Sequence, residues 1–140
     1  MLADIPPGLP EIMADPAIAE RIIVNLARNA LRYSPVAAPP LLTARTAGIR
    51  VELRVVDHGP GIPAADRKRV FQPFCRLGDP GDRTGVGLGL AVARGLAGTM
   101  GGGVEIEDTP GGGLTMVLAL PAAPARSAAE ARGPRRIRAA

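Results

Sequence analysis

The segment DPAIAERIIVNLARNALRYSP, residues 15–35, decides the first element of the fold. Asp15 is typical of a helix N-cap, because its side chain can accept hydrogen bonds from free backbone N–H groups, and Pro16 follows where its fixed φ suits the first helical position. The apolar residues at helical spacing are Ile18, Ile22, Ile23, Leu26 and Ala30. We predict a helix that begins at Asp15, buries this stripe, and ends before Ser34 and Pro35.

Polar side chains lie along one edge of this apolar stripe. At about 100° per residue, Asn25, Asn29 and Arg32 fall within about 60° of one another, beside Ile18 and Ile22. A buried amide without a hydrogen bond costs about 1–3 kcal/mol, so the two asparagines require partners. Neighbouring backbone groups could supply them, and so could a cation with its waters. The residues alone leave both alternatives open.

Alternation of apolar and polar residues predicts the strands. Residues 49–57 have this period of two, and a strand over 41–46 could pair with them through a short Ala-Gly connection. The same alternation returns over 114–120. A Pro-Gly-Gly-Gly turn separates it from residues 104–107, which predicts an antiparallel hairpin.

A second helix is predicted between the two groups of strands. Leu88, Val92, Leu96 and Met100 recur every four residues, after a run of glycines and before the glycines at 101–103. Few helices and antiparallel hairpins favour an α+β fold. We expect a two-layer α/β sandwich, in which helices cover one face of a mixed, mostly antiparallel sheet.

The basic charge is concentrated at one end of the chain. The formal net charge is +4, but residues 1–121 hold twelve basic and twelve acidic side chains, while residues 122–140 hold five Arg and one Glu. We expect an N-terminal lead over 1–8 that is either an edge strand or a linker remnant, one domain over 9–121, and a basic, disordered tail over 122–140. With few aromatic residues to stack on bases, a nucleic-acid surface is disfavoured.

Residue counts exclude other functional classes. The single Cys75 cannot form an intramolecular disulfide, and together with the single His58 it cannot complete a structural zinc site. One histidine beside a glycine turn gives no Ser-His-Asp arrangement. No apolar run is long enough for a membrane span or an export signal, so we expect a cytoplasmic protein.

Two glycine motifs flank the predicted elements. In the motif 57–62, DHGPGI, a strand ends in a carboxylate that can accept from an exocyclic amine, and glycines let the backbone approach a flat base. A turn that simply caps the strand is the alternative. In the motif 85–89, GVGLG, glycines precede a helix whose positive end favours phosphates. A mobile loop over 75–84, rather than a strand, precedes this motif, which excludes a Rossmann domain.

Together, in this order and spacing, the motifs resemble the histidine kinase and gyrase-type ATP-binding superfamily, and more closely the catalytic domain of sensor histidine kinases. The resemblance runs from about Leu9 to Pro121. The segments LRYSP, VVDHGPGIP, FCRLGD and EDTPGGGL are most similar to the C-terminal end of KdpD-type potassium sensor kinases. The resemblance implies a Bergerat-type ATP-binding fold that holds ATP and Mg²⁺.

The resemblance also implies roles for individual residues. Asn29 would ligate the Mg²⁺ that bridges the phosphates, and Asn25 would support it through water. Arg32 would lie near the phosphates, Tyr33 would cover the adenine, and Arg76 would meet the γ-phosphate. Asn25, Asn29, Arg32 and Arg76 are therefore the expected catalytic residues.

The remaining implied contacts are with the base and the phosphate chain. Asp57 would accept the adenine amine, with Gly59, Gly61 and Ile62 beside it. The loop before the second helix would hold the phosphates through Thr84, Gly85, Val86, Gly87, Leu88 and Gly89. The glycines at 111–113 match the family's last glycine motif, a turn whose role is more structural than ligand-binding.

Asn25 separates the mechanisms within the superfamily. The members that hydrolyse ATP with water have a glutamate base on this helix, whereas Asn25 cannot remove a proton at neutral pH, so direct hydrolysis should be slow. The resemblance instead implies phosphoryl transfer to a histidine in an upstream dimerisation domain. Because His58 is the one histidine present, we expect an acceptor on another domain or chain, and no autonomous autophosphorylation.

The expected partners follow from this scheme: ATP, a histidine-bearing dimerisation domain and, through it, a response regulator. Membrane association would arise only through a partner sensor kinase. The alternatives are a non-catalytic ATP-binding regulatory module, a truncated kinase fragment, an anti-sigma serine kinase of the same fold, and a nucleic-acid-associated protein that acts through its arginine tail.

Overall fold

The structure is a computed structural model that describes residues 1–73 and 89–124. In chain order, the elements of these residues are β1 (Leu2–Asp4), α1 (Pro16–Tyr33), β2 (Leu41–Ala47), β3 (Arg50–Val56), α2 (Gly89–Thr99), β4 (Gly103–Asp108) and β5 (Leu114–Pro121). Two short 3₁₀ turns, Ala64–Asp66 and Arg69–Phe71, lie between β3 and α2.

The ends of α1 are those that the sequence predicts. Oδ1 of Asp15 accepts hydrogen bonds from the N–H groups of Ala17 and Ile18, at 2.9 and 3.2 Å. At the other end, the N–H of Ser34 donates to the carbonyl of Ala30, at 2.9 Å. These bonds satisfy backbone groups that a helix otherwise leaves unpaired at its termini.

The described strands form one five-stranded sheet in the order β1-β2-β3-β5-β4. β1 pairs with β2 in parallel, and the other three pairings are antiparallel. The predicted α+β fold with a mixed, mostly antiparallel sheet is therefore confirmed. β3 and β5 are central, and their pairing places Val55 opposite Met116.

The hydrophobic core lies between one face of this sheet and the two helices. Alternation along β3 and β5 turns one set of side chains toward α1 and α2. The buried cluster contains Ile22, Leu26 and Ala30 from α1, Ala93 and Ala97 from α2, and Val55, Val104, Leu114, Met116, Leu118 and Leu120 from the sheet. Neither α-helix of the described residues is long and apolar enough to cross a membrane.

The opposite face of the sheet has a chain of ion pairs. Glu52 accepts hydrogen bonds from Arg45 at 2.6 Å and from Arg54 at 2.9 Å, and Arg54 also pairs with Glu107. The hydrogen bond from Arg45 is the main cause that lowers the pKa of Glu52. Partial burial acts in the opposite direction and raises this pKa, whereas the hydrogen bond from Arg54 lowers it further. The hydrogen bond to Glu107 is the main cause that raises the pKa of Arg54.

The folded part extends beyond the expected domain limits of 9 and 121 at both ends. Leu2 pairs with Leu41, so the lead forms an edge strand, β1, which is one of the two alternatives that the sequence left open. After β5, Ala122 forms a bridge with Ile12. Pairing between distant segments determines both extensions. The rest of the expected tail, 125–140, lies outside the described residues.

Candidate functional site

A buried carboxylate follows directly after β3. Asp57 is 3% exposed. Its Oδ1 accepts from the N–H of Gly59 at 2.9 Å and from the N–H of Leu114 at 3.2 Å. None of the hydrogen bonds from described residues reaches Oδ2. One oxygen of Asp57 is thus fixed by backbone, and the other can accept a hydrogen bond from a ligand.

Close backbone contacts hold the loop around this carboxylate. A Cβ on Gly59 would lie 2.6 Å from the carbonyl oxygen of Tyr33, and a Cβ on Gly113 would overlap the carbonyl oxygen of Asp57. Gly113 also has a φ of +113°, which side-chain-bearing residues rarely adopt. The end of α1, the Asp57 loop and the turn before β5 therefore meet at one place.

One of the two asparagines of α1 contacts the sheet near this loop. Asn29 is half-buried, and its Nδ2 lies 3.8 Å from the sulfur of Met116, which pairs with Val55 two residues before Asp57. A nitrogen–sulfur contact of this length is weak. Asn25, one turn earlier, is also half-buried. Neither amide oxygen accepts a hydrogen bond from the described residues.

These amides fit a magnesium ion better than a transition metal. Amide oxygens are hard ligands, and Mg²⁺ typically takes few protein ligands and completes its shell with water and phosphate. Within residues 1–73 and 89–124, no three His, Cys, Asp or Glu side chains come together as a metal site. A cation held here would therefore depend on Asn29, with Asn25 beside it, and on the ligand's own oxygens.

The last turn of α1 presents a cation and a ring. The guanidinium of Arg32 lies 5.6 Å from the centre of the Tyr33 ring, within the range of a cation–π interaction. The Tyr33 ring is partly exposed, with 41% of the residue accessible. The backbone carbonyl of Tyr33 adjoins the Asp57 loop at Gly59. The ring is accessible to a flat ligand, and the carbonyl supports the loop.

An arginine that the sequence pattern did not reveal supports the second half of the loop. Nε of Arg67 donates to the carbonyl of Ile62 at 3.3 Å, and the same guanidinium pairs with Asp108 at the end of β4. Ile62 packs against the core cluster. Gly61, at a φ of +73°, turns the chain between Asp57 and Ile62. Arg67 thus connects this loop to the β4–β5 hairpin.

The expected phosphate loop falls largely outside the described residues. Arg76, Thr84, Gly85, Val86, Gly87 and Leu88 all lie there, as does the expected mobile loop over 75–84. Gly89 begins α2 and is exposed. Phe71, which precedes this gap, packs against the core cluster, and Arg94 of α2 lies 4.7 Å from the centre of its ring.

Contacts place two groups of the residues that we expected in one site. Asp57, Gly59, Gly61 and Ile62 form a loop that adjoins the backbone of Tyr33, and Asn29 contacts β5 beside the strand that leads to this loop. The contributions of the Leu114 amide and Arg67 were not predicted, and Gly113 was expected only as part of a structural turn, without its contact with Asp57. Each of them depends on a contact between residues far apart in the sequence.

Comparison with known proteins gives a consistent result. The model of the family described as "Histidine kinase-, DNA gyrase B-, and HSP90-like ATPase" matches residues 14–124. The chain is 48% identical, over 134 residues, to the sensor protein KdpD of Rathayibacter rathayi, covering 96% of this chain and 16% of that protein. It therefore spans about a sixth of the length of that relative.

Solved structures agree in fold. The mycobacterial sensor histidine kinase MprB matches with a TM-score of 0.74 and 26% identity, covering 89% of this chain and 82% of that one. Full-length ShkA, crystallised in complex with AMPPNP, matches with a TM-score of 0.73 and 32% identity, covering 89% of this chain and 26% of that one.

Proposed function

The chain belongs to the histidine kinase-, DNA gyrase B- and HSP90-like ATPase family, and we propose that it is the Mg·ATP-binding catalytic domain of a two-component sensor histidine kinase. Family membership and the KdpD relatives confirm the resemblance stated from the sequence. The proposal adds the ligand, the residues that hold it, and the reaction.

The buried carboxylate of Asp57 is the observation that most directly supports this function. Its Oδ1 is held by two backbone N–H groups, while Oδ2 receives no hydrogen bond from the described residues. The exocyclic amine of adenine would donate to Oδ2. Guanine has a carbonyl oxygen at that position, and two acceptors facing each other would leave a buried charge unpaired. The site should therefore prefer ATP to GTP.

The asparagines of α1 belong to the phosphate end in this proposal. Asn29 would ligate Mg²⁺ and Asn25 would hold one of its waters, because their amide oxygens accept no hydrogen bond from the described residues. Bound there, Mg²⁺ would offset the negative charge of the phosphates. Arg32 lies one turn beyond Asn29 on α1 and would interact with the same phosphates. The ring of Tyr33 would cover the adenine.

The residues outside the described part enter the proposal through the family resemblance alone. Arg76 would interact with the γ-phosphate. Thr84, Gly85, Val86, Gly87 and Leu88, followed by Gly89 at the start of α2, would hold the phosphate chain. Backbone N–H groups before a helix, together with its positive end, favour such anions.

The chemistry available to α1 favours transfer over hydrolysis. Neither Asn25 nor Asn29 can accept a proton at neutral pH, so these two positions of α1 provide no general base for water. We propose that the site orients ATP so that a histidine nitrogen of another domain or chain attacks the γ-phosphorus in line. The bond from the γ-phosphorus to the β,γ-bridging oxygen would break and ADP would leave. The phosphohistidine would then donate its phosphoryl group to a response regulator.

Calorimetric titration of the chain with Mg·ATP, Mg·GTP, and ATP without metal tests the binding step. We expect binding that requires Mg²⁺ and prefers ATP; equal affinity for ATP and GTP would contradict the role of Asp57. A second experiment adds a histidine-bearing dimerisation domain from a KdpD relative and follows acid-labile phosphate. Binding without transfer would identify a non-catalytic regulatory module instead.

A further inference from the structure

The loop that begins at Asp57 is attached to the β4–β5 hairpin at both of its ends. At its start, Oδ1 of Asp57 accepts from the N–H of Leu114, the first residue of β5, at 3.2 Å. At its other end, Nε of Arg67 donates to the carbonyl of Ile62 at 3.3 Å, and the same guanidinium pairs with Asp108, the last residue of β4. One hairpin therefore positions both ends of this loop.

A cavity separates the second half of the loop from the hairpin. Its volume is about 390 Å³, and it is lined by residues 60–63 of the loop and by Asp108, Thr109, Gly112 and Gly113 of the hairpin. Close packing fixes a backbone through many small contacts, and an open cavity does not provide them. The side chain of Ile62 packs against the core, but its carbonyl is held by Arg67. Arg67 thus links the two walls of the cavity.

The position of this loop affects the direction of the Asp57 carboxylate. Oδ1 of Asp57 accepts from the N–H of Gly59, which belongs to the loop, at 2.9 Å. Gly59 and Gly61 give the loop more conformations than an ordinary segment of the same length. A hydrogen bond weakens steeply when its angle departs from the ideal, so the carboxylate must be held in one direction to recognise a base.

We propose that Arg67 is a positioning residue for base recognition. By linking Ile62 to Asp108, it holds the loop in the conformation in which Oδ2 of Asp57 faces the amine of adenine. This inference rests on the proposed ATP-binding function, and Arg67 acts in it through Asp57 without touching the ligand. Without the link, only a fraction of the molecules has the loop in this conformation, and the measured affinity falls in proportion to that fraction.

Arg67→Met tests the inference, because it removes the link and keeps an apolar stem of similar length. Binding of Mg·ATP should weaken about 3- to 10-fold, which corresponds to a competent fraction between about a third and a tenth. Purine riboside triphosphate lacks the exocyclic amine, so its affinity should change little. The melting temperature should fall by a few degrees at most, because partly exposed ion pairs contribute little to stability.

Arg69→Met is the matched control. Arg69 lies two residues after Arg67 and pairs with Asp66 at 3.3 Å, within its own segment and not with the hairpin. This variant should bind both nucleotides as wild type does. Asp108→Ala removes the link from the other side, so it should also weaken binding of Mg·ATP more than binding of the analogue.

A double variant tests whether Arg67 acts through Asp57. In the Asp57→Asn background, Oδ2 is already replaced, so adding Arg67→Met should cause no further loss of ATP affinity. A loss that is as large in this background as in wild type would contradict the inference. It would show that Arg67 affects binding by a route that does not include the carboxylate.

The outcomes separate the inference from the function on which it rests. If the folded wild-type chain does not bind Mg·ATP, the proposed function fails and the inference fails with it. If wild type prefers ATP to the analogue and Arg67→Met keeps that affinity and preference, the inference alone is overturned. An equal loss for the two nucleotides, or the same loss in Arg69→Met, would also overturn it, because the effect would then not be specific to the base.

Discussion

The backbone N–H of Leu114 lies 3.2 Å from Oδ1 of Asp57, so the first residue of β5 holds the carboxylate that follows β3. A second hydrogen bond joins the same two residues: the backbone N–H of Asp57 donates to the carbonyl of Leu114 at 2.8 Å. In the proposed site, structure and ligand binding would use different oxygens of one side chain. Oδ1 connects the end of β3 to the start of β5, and Oδ2 would bind the ligand.

Asp57→Asn separates these two tasks. The amide oxygen can still accept from Gly59 and Leu114, but an NH₂ group replaces Oδ2 and would face the adenine amine, donor against donor. We expect Mg·ATP affinity to fall at least about tenfold, in line with about 1.5–3 kcal/mol for a hydrogen bond to a charged group, and the preference over GTP to disappear. Titration measures the affinity.

Thermal unfolding supplies the control for this substitution. Asp57→Asn should melt close to wild type, whereas Asp57→Ala removes both backbone contacts and should lower stability as well as affinity, by about 1–3 kcal/mol. An Asp57→Asn variant that keeps the wild-type affinity and the preference for ATP would contradict the assignment of Oδ2 to the base.

The turn before β5 gives a matched pair of glycine substitutions. Gly112 and Gly113 both have a φ near +110°, but a Cβ on Gly112 would meet nothing within 4 Å, whereas one on Gly113 would overlap the backbone of Asp57 and His58. Gly112→Ala should therefore cost only the conformational strain, about 1–2 kcal/mol. Gly113→Ala should cost at least about 2 kcal/mol more, because backbone must move.

Denaturant unfolding of the two glycine variants measures this difference. Gly113→Ala should also weaken nucleotide binding, because the displaced backbone belongs to Asp57, while Gly112→Ala should bind as wild type does. Equal destabilisation by the two substitutions would show that the turn can relax away from Asp57, and that the close packing does not fix the site.

Local sequence signals predicted the elements of this fold but not the contacts between them. Asp15 and Pro16 specify where α1 begins, and alternation specifies β3 and β5, because caps and side-chain periodicity act within a few residues. For β1 the local signals leave an edge strand and a linker remnant as alternatives: all three of its residues are exposed, and pairing with β2 is what makes it a strand.

The same limit applies to the site. Residue type and spacing drew attention to the carboxylate of Asp57 and the amides of Asn25 and Asn29, but their roles in a site came from the family resemblance. The contacts of Leu114 and Gly113 with Asp57 join residues more than fifty positions apart. Such contacts follow from the order of the strands in the sheet. The alternation of apolar and polar residues within one strand does not indicate which strand pairs with it.

Asn29→Ala tests the metal end of the site. Among the described residues, the Asn29 side chain makes one weak hydrogen-bonding contact, 3.8 Å from the sulfur of Met116, so its loss should change the free energy of unfolding by no more than about 0.5 kcal/mol. Affinity for ATP should lose its dependence on Mg²⁺. Arg28→Ala, an exposed neighbour on α1, is the control and should keep the wild-type dependence.

Paired titrations with and without Mg²⁺ measure this effect as a ratio of affinities for each protein. In wild type the ratio should be well above one, and in Asn29→Ala it should approach one. A variant that keeps the wild-type ratio would exclude Asn29 as a magnesium ligand and leave its amide with a structural role at β5.

The ion pairs on the open face of the sheet predict a pH dependence of stability. The hydrogen bond from Arg45 lowers the pKa of Glu52 from its ordinary value of 4.5. A carboxyl whose pKa is lower in the folded state binds protons more weakly there than when unfolded. Its stabilising contribution is therefore fully present above pH 4.5, and it is lost as the pH falls through the folded-state pKa.

Glu52→Gln should remove this contribution. At pH 7 the variant should be less stable than wild type by about 1 kcal/mol, the upper range for an exposed ion pair, and the difference should shrink as the pH falls below 4.5. High salt should also reduce it, because the bond to Arg45 is at the surface. Urea unfolding at several pH values measures the difference.

Glu105→Gln is the control for this prediction, because Glu105 is exposed on β4 and makes no ion pair with the described residues. The difference in stability between Glu105→Gln and wild type should stay nearly constant with pH. If Glu52→Gln and wild type differ by the same amount at pH 7 and at pH 3, the charge of Glu52 does not stabilise the sheet.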